Sequence, residues 1–245
     1  MHNEEIYKIW TYPRIYVDTP LNKGAVIDLS TAHAHYFKNV LRRQDGNFIR
    51  LFNGQNGEWI AKLENLSKKS GQAKLQSQSR KQPENHSKTT LYFAPIKKSR
   101  MDILIEKAVE LGVDTLSPII TERTQNRHFK KERIQAQILE ASEQCERLEI
   151  PMLSETLSLH DLPQEETIHA CIERNDNQNE TIHINKVKGN SLYFLVGPEG
   201  GFSDQEINVL LSKPNVTSIT LGSRILRAET ASIICLTHAE FLKQK

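Results

Sequence analysis

From Arg14 to Arg80 apolar and polar positions alternate in short runs. RIYVDTPLNKGAVIDL, 14–29, reads as strand, turn, strand, with Pro20 and Gly24 as punctuation. Ser30 or Thr31 can cap a short helix through HAHYFKNVLRR. After the Asp45-Gly46 turn signal, FIRLFNG alternates up to Asn53-Gly54, and GEWIAKLENL and QAKLQSQSR supply further strands. Short period-two strands with one helix describe a small β-barrel. The polar, apolar-poor stretch SRKQPENHSK, 79–88, is the expected linker, which divides the chain into domains 1–85 and 86–245.

Beyond that linker the period lengthens. LYFAPI and TLSPIIT are short apolar strands, and MDILIEKAVELG between them places Ile103, Leu104, Ala108 and Leu111 on one helical face, with Gly112 as the C-cap. A long polar helix is predicted from His128 to Arg147. HACIERN, LYFLVG and SITLG read as strands, and a final helix runs from Glu229 to Lys243. Strands alternating with helices predict an α/β domain with a mostly parallel sheet.

Composition narrows the class. With 38% hydrophobic and 25% charged residues in 245, the chain is an ordinary globular protein that needs no disulfide staples. Cys145, Cys171 and Cys235 form no CxxC pair and read as small buried apolar groups of a reducing compartment. No apolar run approaches the ~20 residues of a membrane span. MHNEEIYKIW has early acids and no apolar signal core, so a cytoplasmic location is expected. The histidines fall in no metal-ligand pattern, so no metal is expected. Net charge is +2 but uneven: residues 1–87 carry 13 Lys+Arg against 8 Asp+Glu, and the remainder is acidic. A basic first third points to a polyanion partner or to a solvated surface.

Two loops carry the candidate chemistry. In LYFLVGPEGGFSDQEI, 192–207, a strand runs into Gly197, Pro198, Glu199, Gly200 and Gly201, and Ser203 with Glu206 forms a capping box. In SITLGSRILRAETASIICL, 218–236, a strand again meets a glycine, and the loop adds Arg224, Arg227 and Glu229 around the apolar pair Ile225–Leu226. Glycines after parallel strands let backbone approach a ligand beyond the strands' carboxyl ends. Neither loop is GxGxxG or a P-loop. The second suits a ligand with an apolar ring face beside a polyanion.

GPEGGFSDQE and LGSRILRAETA resemble the signature loops of the RsmE-type uridine-N3 methyltransferases of 16S ribosomal RNA, in the SPOUT superfamily. KKSRMDILIEKAVELGVDTLSPIITERTQNR, 97–127, and EQCERLEIP, 143–151, resemble the same family, as do HYFKNVLRRQDG and PRIYV in its PUA-like domain. The resemblance implies a trefoil-knotted methyltransferase domain behind a PUA-like barrel, homodimers, and S-adenosylmethionine in the knot. It implies cofactor contacts from Leu195, Gly197, Pro198, Glu199 and Gly200 on one wall. Leu221, Gly222, Ile225, Leu226 and Arg227 would form the other, with a third loop at Glu173.

For the chemistry, Arg224 or Arg227 can stabilise negative charge on the uracil carbonyls. Glu229 is either a general base or a helix-start carboxylate favoured by the dipole. Arg14, Lys38, Arg42 and Arg43 are candidate phosphate ligands, as are Arg123 and Arg127. Tyr36 or Phe37 could stack on a base or pack in the core. Two rivals differ in class. A 2′-O-ribose methyltransferase usually has an asparagine-rich helix start where this chain has ETASIIC. A non-catalytic RNA-binding protein leaves the two glycine loops without purpose.

Overall fold

The computed structural model describes residues 8–84, 87–172 and 181–243. Two units form, Met1–Glu84 with Glu146–Glu149, and Asn85–Cys145 with Ile150–Lys245.

The first unit is built on β1 (Arg14–Tyr16), β2 (Val26–Asp28), β3 (Phe48–Phe52), β4 (Glu58–Glu64) and β5 (Gln72–Arg80), in sheet order β1-β3-β4-β5-β2. Only β1 and β3 run parallel. Alternation sends Ile49, Leu51, Leu63 and Leu75 inward onto Ile15 and Phe37. Ser30 caps the short helix α1 (Thr31–His35) by accepting from the His33 amide, and a π-turn, Tyr36–Val40, follows. Phe37 is fully buried in this core, so of the two aromatics Tyr36 is the one open to solvent. β5 continues to Arg80, so the first two residues of the expected linker are strand.

The other face of this sheet holds a buried ionic cluster that corrects one expectation. Arg14 Nε donates to Glu58 at 2.7 Å, Arg50 lies 3.6 Å from the same carboxylate, and Arg50 also pairs with Glu146 at 2.8 Å. The Arg14 and Glu58 side chains are 3% and 1% exposed. Arg14 lies over the Phe52 ring, donates to the Arg147 carbonyl, and has its pKa lowered by desolvation. Predicted as a phosphate ligand, Arg14 is instead a buried structural cation, because Glu58, 44 residues downstream, neutralises it in place.

The second unit holds a wholly parallel sheet of β6 (Thr89–Phe93), β7 (Thr115–Ile120), β8 (Met152–Leu153), β10 (Ile168–Cys171), β11 (Ile182–His183), β12 (Leu192–Val196) and β13 (Val216–Thr220), with β9 (Leu157–Ser158) on β7. The order is β11-β13-β10-β12-β6-β7-β8. β6 is buried at every position, as a strand covered on both faces must be. Pro118 sits in β7 without an N–H to offer. The strand tolerates it because β8 pairs at Thr115–Leu116 and β9 at Ile119–Ile120, which leaves that edge unpaired between them.

Helix α2 (Lys98–Glu110) buries Met101, Leu104, Ile105, Ala108 and Val109. Ile103, expected inside, is 47% exposed: the apolar stripe is rotated by about one residue. Gly112, at φ +76, follows the C-cap Leu111. Helix α3 (Lys131–Gln144) is shorter than predicted, since Glu146 at φ +58 cannot continue it. Helix α4 (Asp204–Ser212) follows the Ser203–Glu206 capping box. The last helix, α5 (Ala228–Lys243), packs on β12, β6 and α2.

One buried group makes this unit acid-sensitive. His169 of β10 is 8% exposed, lies 5.8 Å from the Phe194 ring, and leaves Nδ1 without a partner. Burial, then the neighbouring His238, lowers its pKa from 6.5. The unfolded chain therefore takes up the proton first. The stability from the neutral ring is complete above about pH 6.5 and is lost as pH falls from there toward the lower folded value. A melting series between about pH 7.5 and 5 should show a steeper decline for the wild type than for His169→Phe. Equal slopes would remove His169 as the cause.

Candidate active site

Three adjacent strands, β13, β10 and β12, end side by side and open into a cleft of about 560 Å³. Cys171 and Ile172 line it at the end of β10 and just beyond, Val196 and Gly197 at the end of β12 and just beyond, and Ile219 and Thr220 from β13. Ala228 and Ala231 of α5 form its floor. Small side chains there leave volume for a flat ligand.

The first loop turns tightly, with the Gly201 amide donating to the Pro198 carbonyl at 2.9 Å and Gly201 at φ +66. Gly197 is tightly packed: a Cβ there would lie 3.1 Å from the Phe202 ring, which would have to give by a few tenths of an ångström. Glu199 accepts from the Lys97 amide at 3.3 Å, tying this loop to the start of α2. In the second loop Gly222 takes φ +134, and its amide donates to Thr220 Oγ1. Ile225 is 69% exposed beside the cleft. Arg100, Arg123, Arg224 and Arg227 give the rim its positive charge. Arg224 and Arg227 are exposed, and among the described residues no hydrogen bond or ion pair holds either guanidinium, so both can turn toward a ligand.

The family profile described as RNA methyltransferase domain matches residues 82–240, and that described as RNA methyltransferase PUA domain matches residues 29–76. A relative from Rickettsia conorii, ribosomal RNA small subunit methyltransferase E, is 36% identical over 235 residues, covering 94% of this chain and 96% of its own. The chain belongs to the ribosomal RNA small subunit methyltransferase E family.

Its fold agrees. A crystal structure of the family member from Neisseria gonorrhoeae, bound to S-adenosylmethionine, superimposes with a TM-score of 0.82 at 30% identity, covering 94% of this chain and 98% of the other. A methyltransferase from Legionella pneumophila with bound S-adenosylmethionine gives 0.81 at 29% identity, covering 94% and 97%. The predicted α/β fold with a parallel sheet behind a PUA domain is the fold observed.

Within this methyltransferase E fold the structure gathers most of the predicted residues. Gly197, Pro198, Glu199, Gly200, Leu221, Gly222, Arg224, Ile225, Leu226 and Arg227 all line the cleft. Leu195 does not. It is fully buried, in the cluster with Ile168 and Phe202, while its neighbour Val196 lines the cleft. Glu173 lies outside the described residues; Cys171 and Ile172 carry that wall.

Glu229 is buried behind the lining, 3.8 Å from Arg100, with Oε2 unpartnered. Arg100 also stands 3.8 Å from Glu199 and itself lines the cleft. Glu229 thus faces the Arg100 guanidinium and is not itself among the residues that line the cleft. Sequence reasoning missed Arg100 because, one turn into α2, it reads as an ordinary exposed helix residue.

Arg123 lines the cleft, but its Nη1 is spent on the carbonyls of Gly200 and Phe202. Arg127 donates to the carbonyls of Thr121, Glu122 and Thr124. In the first unit Arg42 is exposed at φ +52, Lys38 is half-buried, and Arg43 buries Nε without a partner. Among the described residues no cluster of three or more His, Cys, Asp or Glu could hold a metal ion. No helix among them is long and apolar enough to cross a membrane.

Proposed function

We propose that the chain methylates N3 of a uridine in 16S ribosomal RNA, using S-adenosylmethionine held in the cleft at the ends of β10, β12 and β13. The observation that carries this reading is the pairing of two glycine loops, at the ends of β12 and β13 on either side of β10, with two arginines at their rim that have no partner among the described residues. The cleft fits the cofactor. The small side chains of Ala228 and Ala231 leave room below for the adenosine, and Gly197, Gly200 and Gly222 bring bare backbone to the cleft wall.

S-adenosylmethionine supplies an activated methyl group on a sulfonium leaving group. The chain's part is to hold the uracil N3 in line and roughly 3 Å from that methyl. N3 must shed a weakly acidic proton, which leaves to water at the open cleft, and the charge then spreads to the uracil carbonyls. Arg227 and Arg224 are free to donate to those oxygens. Glu229 acts through Arg100, keeping that guanidinium at the cleft edge. The domain of residues 1–85 holds the RNA, with Lys38, Arg42 and Arg43 near phosphates and Tyr36 free to stack on a base. The domain of residues 86–245 carries the knot and the chemistry. The enzyme works in the cytoplasm as a homodimer.

The test takes small-subunit particles from a strain lacking the protein and incubates them with it and S-adenosylmethionine. Nucleoside mass spectrometry should then show 3-methyluridine. Arg224→Ala should lower the single-turnover rate about 100-fold while cofactor affinity stays within a few-fold. A 2′-O-methyl product would sink the N3 assignment.

A further inference from the structure

We infer that Arg123 is a positioning residue, the latch that holds the 197–203 loop in its cofactor-ready shape, and is not a ligand of RNA phosphate. The inference rests on the placement of S-adenosylmethionine in this cleft. Arg123 Nη1 donates to the Gly200 carbonyl at 3.0 Å and to the Phe202 carbonyl at 3.1 Å. Its aliphatic stem runs along Gly200, where a Cβ would sit 3.4 Å from Arg123 Cβ. One side chain therefore grips the loop both by charge-assisted hydrogen bonds and by packing.

A second tie runs the other way. Glu206, in the first turn of α4, accepts from the Ser203 amide at 2.9 Å through one oxygen and from the Glu122 amide at 2.7 Å through the other. Its capping-box role is thus extended to the neighbouring segment. The 121–127 segment can bear this load because it is itself fixed. Thr121 and Thr124 are buried, and the Thr121 amide donates to Thr124 Oγ1 at 2.9 Å. Arg127 ties the carbonyls of that same turn, and Asn126 donates to the Ile96 carbonyl at 3.1 Å, beyond the end of β6.

A loop with three glycines needs such bracing. Glycine has the most backbone freedom to lose, and an unbraced 197–203 segment would give up that freedom only when the cofactor bound. Bracing it beforehand moves the ordering cost into folding and raises affinity. That is why an arginine stands in the segment after β7, remote in sequence from both glycine loops.

The experiment uses the full chain. Hydrogen exchange of the Gly201 and Ser203 amides is read without cofactor. Affinity for S-adenosylmethionine is read by calorimetry, and affinity for transcribed 16S ribosomal RNA is read as a function of salt. Arg123→Ala should speed exchange at both amides and weaken cofactor binding about tenfold. Arg123→Lys should recover part of each, and the salt slope for RNA should not change. Glu206→Gln should loosen Ser203 alone or together with Glu122, which tests the brace even if Arg123→Ala folds poorly.

Unchanged exchange and cofactor affinity in Arg123→Ala would overturn the inference. A salt slope smaller by about one would make Arg123 a phosphate contact instead. If the wild type bound no S-adenosylmethionine, the cofactor placement would fall, while faster exchange in Arg123→Ala would still support the latch.

Discussion

Glu58→Ala should destabilise the first unit by about 3–5 kcal/mol, the cost of leaving a buried ion without its partner. Glu58 is fully buried. Its carboxylate accepts from Arg14 at 2.7 Å and from the Ser79 hydroxyl at 3.0 Å, and Arg50 is within 3.6 Å. Removing it leaves two buried guanidiniums facing each other. Arg50 Nη1 already lacks a hydrogen bond and would lose its nearest counter-charge. Glu146 sits 34% exposed and compensates only in part. The measurement is urea denaturation of the full chain followed by the fluorescence of Trp59, packed against this unit's core. A loss under about 1 kcal/mol would mean that water enters the cluster, as it does at surface pairs.

Gly197→Val should weaken cofactor binding about ten- to a hundred-fold. The new Cβ alone would meet three Phe202 ring atoms at 3.1–3.4 Å, and Phe202 is itself buried against Leu195 and Ile168. Overpacking of this kind costs about 1–3 kcal/mol, and relieving it moves either the ring or the loop that shapes the cleft. Gly201→Ala is the informative comparison. A Cβ there meets nothing within 4 Å, so its effect comes from φ +66 alone. A cofactor dissociation constant in Gly197→Val within threefold of the wild type would displace the site from the end of β12.

Much of this architecture is readable in the chain because its determinants are local. The alternation of FIRLF, the capping boxes, the apolar LYFLV and the glycines after it act over a few residues. The cleft was legible for the same reason: both loops announce themselves as strand, glycine, helix. What escaped the sequence depends on partners far away. Arg14 reads as a basic surface residue until Glu58 is brought beside it. The carbonyls to which Arg123 and Arg127 donate are likewise absent from any sequence pattern around them. Ile103 fits a helical face in the sequence, yet the stripe that packs is set one residue over by Met101 and Ile105. The β-period of β12 decides that Val196 and not Leu195 meets the cleft, and that register is fixed by pairing with Thr89–Phe93.

That pairing has a consequence for how the protein is made. β6 lies between β7, its successor in the chain, and β12, which is translated about 100 residues later. The cleft is floored by Ala228 and Ala231, which emerge later still. Loop-closure entropy delays such distant contacts until their partners exist. A nascent chain therefore has no complete cleft until helix α5 has left the ribosome and can pack under the ends of β10, β12 and β13.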